Sequence, residues 1–238
     1  MFRDRPPSVA LRFPHVTPRA PVVLVLLITL LLAGCSGGGD GGEDLPAGAD
    51  LLTRSAEAMA AVTTARFSLG VEGTLAGFPV QGAQAQLTRE GDAAGTVTLE
   101  QGGQVNELQF VLTGGSLYLQ GPTGGFQKLP AALAGSVYDP SVILDPQRGI
   151  PALLRAGTAA TTEAREQVGG VDAYRVRATF PAAALGGLVP GAVADTTGQV
   201  WIGVNGSRLV QARFPLPEAT ATVRLSDFDA PADITPPS

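Results

Sequence analysis

The chain has 238 residues, 45% of them hydrophobic, which suits one domain with a sizeable buried core. Its formal charge is −5, falling to −8 (12 basic against 20 acidic) once residues 1–34 are set aside with Arg3, Arg5, Arg12, Arg19 and Asp4. That balance argues against nucleic acid as a partner and against electrostatic adhesion to anionic lipid. A single Cys, Cys35, permits no intrachain disulfide, and the single His, His15, precedes it.

Residues 1–34 join a basic start to the apolar run 21–33. That run is shorter than the ~20 residues a membrane-spanning helix needs, and the pattern reads as an export signal. It closes on Leu32-Ala33-Gly34-Cys35, the pattern of a bacterial lipobox. In a lipobox the Cys thiol accepts a diacylglyceryl group and becomes the new N-terminus after cleavage. The expectation is a lipid anchor at Cys35 on the outer face of the cytoplasmic membrane, the alternative being an ordinary signal with a chance Cys. Two or more acyl chains anchor stably where one is marginal. Residues 35–50 then form a tether rich in Gly and acid, whose free part spans roughly 20 Å on average. Residues 51–238 are left as a single domain.

Asp50 is placed to cap a helix running to about Val62, with Leu51, Leu52, Ser55, Ala56, Met59 and Val62 on one stripe. From Arg66 the period becomes two: Phe67, Leu69 and Val71 alternate with Arg66, Ser68, Gly70 and Glu72. Residues 83–88, 94–101 and 105–112 repeat the style, so antiparallel strands with one solvated face are expected. Gly114-Gly115 between runs 108–112 and 116–120 predicts a hairpin. Past Gly121-Pro122 the chain turns into short helical pieces bounded by Asp139-Pro140 and Asp145-Pro146, with a further short helix from about Ile150 to Arg155. Strands resume at 161–167 and 173–179, a short apolar helix is expected at 181–189, and strands at 199–204, 209–214 and 220–227 follow. Asn205-Gly206 is a hairpin signal. The Pro- and Asp-rich tail after Phe228 is expected to fray.

Catalytic chemistry finds little support. A Ser nucleophile wants a His or Lys base, and after Cys35 the sequence holds no His and only Lys128. Zinc-type sites want His or Cys ligands. No Gly-rich loop leads into a helix with a Lys, so a nucleotide site is not expected. Asp139 and Asp145 precede Pro and read as caps. Oxygen-only calcium binding at Asp227 and Asp229 lacks the spacing of an EF-hand. No enzyme activity, cofactor or metal is expected. What remains is apolar surface: a large sheet covered by Gly- and Pro-broken helices closes either as a solid core or as a lined cavity.

A resemblance bears on that choice. Residues 121–130 (Gly-Pro-Thr-Gly-Gly-Phe-Gln-Lys-Leu-Pro), Val137-Tyr138-Asp139-Pro140 and Ile143-Leu144-Asp145-Pro146 resemble the LppX/LprA/LprF/LprG family of actinobacterial lipoproteins. Gly170-Val171-Asp172-Ala173-Tyr174-Arg175-Val176, Gly198-Gln199-Val200-Trp201-Ile202 and Asp227-Phe228-Asp229-Ala230-Pro231 match in family order, across about residues 51–236. The resemblance implies an α+β fold: a curved antiparallel sheet, or half-barrel, with short helices over its concave face around a hydrophobic cavity. It also implies a lipoprotein that binds acylated lipids or glycolipids in that cavity and helps carry them across the cell envelope, with a possible membrane transporter as partner. The residues expected to line the pocket are Phe67, Leu69, Val71, Val97, Leu99, Phe110 and Leu112 from strands, and Tyr138, Val142, Ile143, Leu153 and Leu188 from the cover. A one-residue register error would invert the strand assignment. The alternative function is a non-carrier envelope interaction or signalling module whose interior is packed shut.

Overall fold

The computed structural model describes residues 44–75, 77–130, 132, 139–189 and 192–237. Cys35 and Tyr138 therefore lie outside the described residues. Helix α1 (Gly48–Ala61) precedes two strand meanders. The first comprises β1 (Thr64–Gly73), β2 (Val80–Thr88), β3 (Ala93–Gln101), β4 (Gln104–Thr113), β5 (Ser116–Gln120) and β6 (Gln127–Pro130). A 3-10 turn (Pro140–Val142) and helix α2 (Ile150–Ala156) link it to the second. That one contains β7 (Thr158–Val168), β8 (Val171–Phe180), helix α3 (Ala182–Leu185), β9 (Thr196–Gly203), β10 (Leu209–Pro215) and β11 (Ala219–Ser226).

The strands form one sheet in the order β6-β5-β4-β3-β2-β1-β11-β10-β9-β8-β7, antiparallel at every pairing and not closed on itself. The first meander grows outward from β1 at the centre to the edge strand β6, and the second runs inward from the other edge, β7, until β11 lies beside β1. The expected α+β half-barrel with short helices on one face is the observed architecture. Both edges carry protection against further pairing. β6 is four residues long and includes Lys128 and Pro130, and β7 shifts register twice along its length.

Local chemistry explains the connections. Gly114 and Gly115, with φ of 56° and 71°, make the β4–β5 turn, and Gly169 and Gly170 do the same for β7–β8. Asp139 caps the 3-10 turn by accepting from the Ser141 amide and hydroxyl. Asp145 accepts from the Gln147 and Arg148 amides and from the Arg148 guanidinium. Both carboxylates are structural, as their place before Pro suggested.

Helix α1 begins earlier than its expected cap. Ala47 stands at the N-cap, and Asp50 lies within the first turn, where a carboxylate favours the helix dipole. The packing reason is Gly48: a Cβ there would lie 2.7 Å from the Ala160 backbone of β7. The Thr162 hydroxyl also donates to the Pro46 carbonyl at 2.5 Å. The last residues assigned to the tether are thus held against the sheet.

The expected stripe of α1 is buried, and Arg89 finishes the helix by donating to the Ala60 and Val62 carbonyls. Leu51, Leu52, Ala56, Met59 and Val62 join one core with Ile143, Leu144, Leu153 and Leu154 and the inner residues of the sheet. Phe180 and Phe214 meet edge to face at 5.5 Å within it.

The tail differs from expectation. Asp227 and Asp229 adopt positive φ (49° and 58°), turning the chain back after β11. Asp229 accepts from the Thr63 amide and hydroxyl, and its carboxylate meets the Arg208 guanidinium. Beyond it, Thr64 donates to Ala230, Gln86 to Pro231 and Thr113 to Ile234. The tail is a strap that ties β1, β2 and β4 together. Sequence reasoning saw Pro and Asp and read them as solvated, because the partners lie more than 100 residues away.

Candidate functional site

Strand register decides which side chains share a face. Across one rung, Leu225, Phe67, Ala85, Gly95, Phe110 and Leu119 stand opposite one another in successive strands. The next rung carries Val223, Leu69, Ala83, Val97 and Leu108. Leu112 pairs with Ala93 on the same face, Leu99 with Val80, and Val71 with Ala221. The seven strand residues singled out from sequence therefore share the inner face, the one that α1 and α2 cover.

They do not share one environment. Phe67 is buried and lines the seam between sheet and cover. Leu69, Phe110 and Leu112 are half-buried against the main core. Val71 belongs to a small satellite cluster with Leu75 and Ala219. Val97 and Leu99 are half-buried on the inner face of β3, where apolar positions continue outward through Leu108 and Leu119. Among the cover residues, Ile143 and Leu153 are buried, whereas Val142 and Leu188 are half-buried.

The seam is lined by Phe67, Phe214 and Val223 of the sheet, Ile143, Ile150 and Leu153 of the cover, and four more apolar residues including Leu188. Four sequence-chosen residues meet there: Phe67, Ile143, Leu153 and Leu188. Ile150, Val189, Leu209, Ala212, Phe214 and Val223 were missed. The alternation in β10 and β11 carried the signal for Phe214 and Val223, but only pairing to β1 shows which parity faces inward.

The free volume of this seam is about 20 Å³. That is room for about one water, far below the ~300 Å³ at which small-molecule pockets begin. Among the described residues, sheet and cover are in contact along this seam, which is apolar and narrow. The cover itself is slight. α2 spans seven residues and α3 four, too short to hold as helices without packing.

The outer face of β7–β9 carries a polar network beside a small apolar cluster of Ala173, Trp201 and Val210. Arg175 reaches Glu163 and Glu166 at 3.0 Å each, Gln199 donates to Glu163 at 2.7 Å, and the Trp201 indole donates to Glu166 at 2.6 Å. Hydrogen bonding from Gln199, then the nearby Arg175 and Arg177 guanidiniums, hold the Glu163 carboxyl below its usual range against a desolvation cost. Gln199 and Trp201 point outward while Val200 and Ile202 are buried inward, so the 198–202 motif is a two-faced strand. Among the described residues, no group of three or more His, Cys, Asp or Glu is placed to hold a metal ion.

The model of the LppX_LprAFG lipoprotein family matches residues 47–234. The chain belongs to this family. Among LppX_LprAFG relatives, the lipoarabinomannan carrier protein LprG of Mycolicibacterium smegmatis is 31% identical over 94% of this chain and 98% of its own length. Lipoprotein LprA of Mycobacterium tuberculosis is 29% identical over 95% of this chain and its own full length. The crystal structure of LprF from Mycobacterium bovis superposes with a TM-score of 0.73 at 22% identity, covering 80% of this chain and 97% of LprF. That of LppX from M. tuberculosis gives 0.60 at 18% identity, covering 79% of this chain and 97% of LppX. These two likenesses establish the fold. With carriers among its members, the family is one of lipid-carrier lipoproteins.

Proposed function

We propose that this protein is a non-enzymatic lipid carrier, anchored through a lipidated Cys35 on the outer face of the cytoplasmic membrane. It takes the acyl chains of a lipid or glycolipid between its sheet and its cover, and moves them outward through the cell envelope. The observation that carries the reading is a seam walled wholly by apolar side chains, over which the described helices α2 and α3 span seven and four residues. Half-buried Val97, Leu99, Leu108, Phe110 and Leu119 extend the apolar track away from it along β3–β5.

Because the seam is narrow, loading requires the cover to part from the sheet. Burying acyl methylenes gains ~0.8 kcal/mol each against water. In a bilayer those methylenes are already dry, and in the protein they replace apolar contacts between cover and sheet. The exchange is near balance, which suits a carrier that must both load and unload. Direction would come from lipid concentration or from a partner such as a membrane transporter.

The small seam volume favours a second reading, an envelope interaction module with a packed interior. Extraction of labelled diacyl lipid from vesicles by the full chain separates the two. The carrier reading expects extraction, and expects Val97→Trp and Leu188→Trp to lower it while leaving the thermal transition in place. No extraction by the wild type would sink it in favour of the packed module.

A further inference from the structure

An open concavity lies on the opposite face from the seam. It is a groove of about 310 Å³ walled by Arg177, Thr197, Gln199, Arg213, Pro215 and Thr220, with Gly198 in its floor. Two adjacent rungs of the sheet build it. Arg177, Gln199 and Arg213 stand in register on β8, β9 and β10. The neighbouring rung carries the short side chains Thr197, Pro215 and Thr220. Long arms beside short ones leave a trough.

Two guanidiniums flank this trough on strands one apart, roughly 10 Å between backbones, so both can reach an object seated between them. Neither is neutralised by a dedicated carboxylate. Arg177 approaches Glu163 only to 3.6 Å, and that carboxylate already holds Arg175 and Gln199. Arg213 comes within 4.0 Å of Glu72, whose side chain is 79% exposed. The groove wall itself contains no acid. In a chain with a formal charge of −5, this is a cationic concavity.

The donor set narrows the ligand. A carboxylate is saturated by one bidentate guanidinium, whereas a phosphate offers oxygens to two. The Gln199 carboxamide and the Thr197 and Thr220 hydroxyls supply neutral hydrogen-bonding groups for adjacent hydroxyls. We infer that the outer-face groove is a binding site for a phosphorylated sugar or polyol, with Arg177 and Arg213 on the phosphate and Gln199, Thr197 and Thr220 on the hydroxyls. The phosphate belongs either to a soluble sugar phosphate or to a lipid head group. Occupancy does not depend on opening the seam, which lies on the other face.

Calorimetric titration of the full chain in neutral detergent with glucose 6-phosphate tests the assignment, with glucose and inorganic phosphate as companion ligands. Saturable binding is expected, weakened about tenfold in Arg177→Ala and in Arg213→Ala. Arg224→Ala, whose guanidinium bonds to Gln211 outside the groove, should bind as the wild type does. The Arg177 and Arg213 side chains are 60% and 52% exposed, so these variants should keep the parental melting temperature. Phosphatidylinositol vesicles that compete with glucose 6-phosphate, where phosphatidylcholine vesicles do not, identify a head group as the source; failure to compete identifies a soluble one. No saturable binding, binding indifferent to both Arg variants, or inorganic phosphate binding as tightly as the sugar phosphate would overturn the inference.

Discussion

Ser55 is fully buried on the inner stripe of α1, and its hydroxyl has no hydrogen-bond partner among the described residues. A buried hydroxyl without a partner is a cost, so Ser55→Ala should leave stability unchanged or raise it by up to about 1 kcal/mol in denaturant unfolding. Gly149 is constrained in the opposite sense. A Cβ there would fall 2.1 Å from the Val142 carbonyl and 2.5 Å from that of Ile143. Gly149→Ala must push the turn apart and should cost on the order of 1–3 kcal/mol in the same measurement. Asp229 sets a pH dependence. The Thr63 amide chiefly, then the Thr63 hydroxyl and the Arg208 and Arg89 guanidiniums, hold its carboxyl below the usual range against a desolvation cost. A depressed folded-state value means stability that is present above the ordinary carboxylate range and lost as pH falls through the lower one. Asp229→Asn should therefore flatten the acid limb of a melting-temperature profile and leave its neutral part lower.

The strap formed by the tail makes a prediction about elements. It ties β1, β2 and β4 through three hydrogen bonds from Thr64, Gln86 and Thr113. Truncation after Asp229 should lower stability by on the order of 2 kcal/mol, with faster amide exchange at the ends of those strands. This element also marks where sequence reading stops. Period-two alternation made the strands legible, and Gly114-Gly115 and Asn205-Gly206 made their hairpin turns legible, because both signals are local. The strap, the early start of α1 at Gly48 and the inward parity of β10 and β11 depend on partners distant in the chain. The seven strand residues named from sequence share the inner face, and of these Phe67 lines the seam. The cover set was legible only in part, because helices of seven and four residues have little periodicity to read.

At the scale of the whole molecule, one sheet separates two chemistries. Its inner face packs apolar side chains under a slight cover, and its outer face carries a network of Arg, Glu, Gln and Trp. The inner face fits a cargo of acyl chains, provided that the cover lifts from a seam holding about 20 Å³ of free space. Segments that move are drawn from the less stable parts of a fold. The cover, residues 139–156 and 181–189, should therefore exchange amides faster than β1 and β9–β11 and gain protection when lipid is present. Native mass spectrometry of the full chain, purified in detergent from an actinobacterial membrane, tests the central claim most directly. The account requires a population carrying one non-covalently bound diacyl lipid or glycolipid, reduced in Leu188→Trp. A chain that emerges bare, and stays bare after incubation with lipid vesicles, would contradict it.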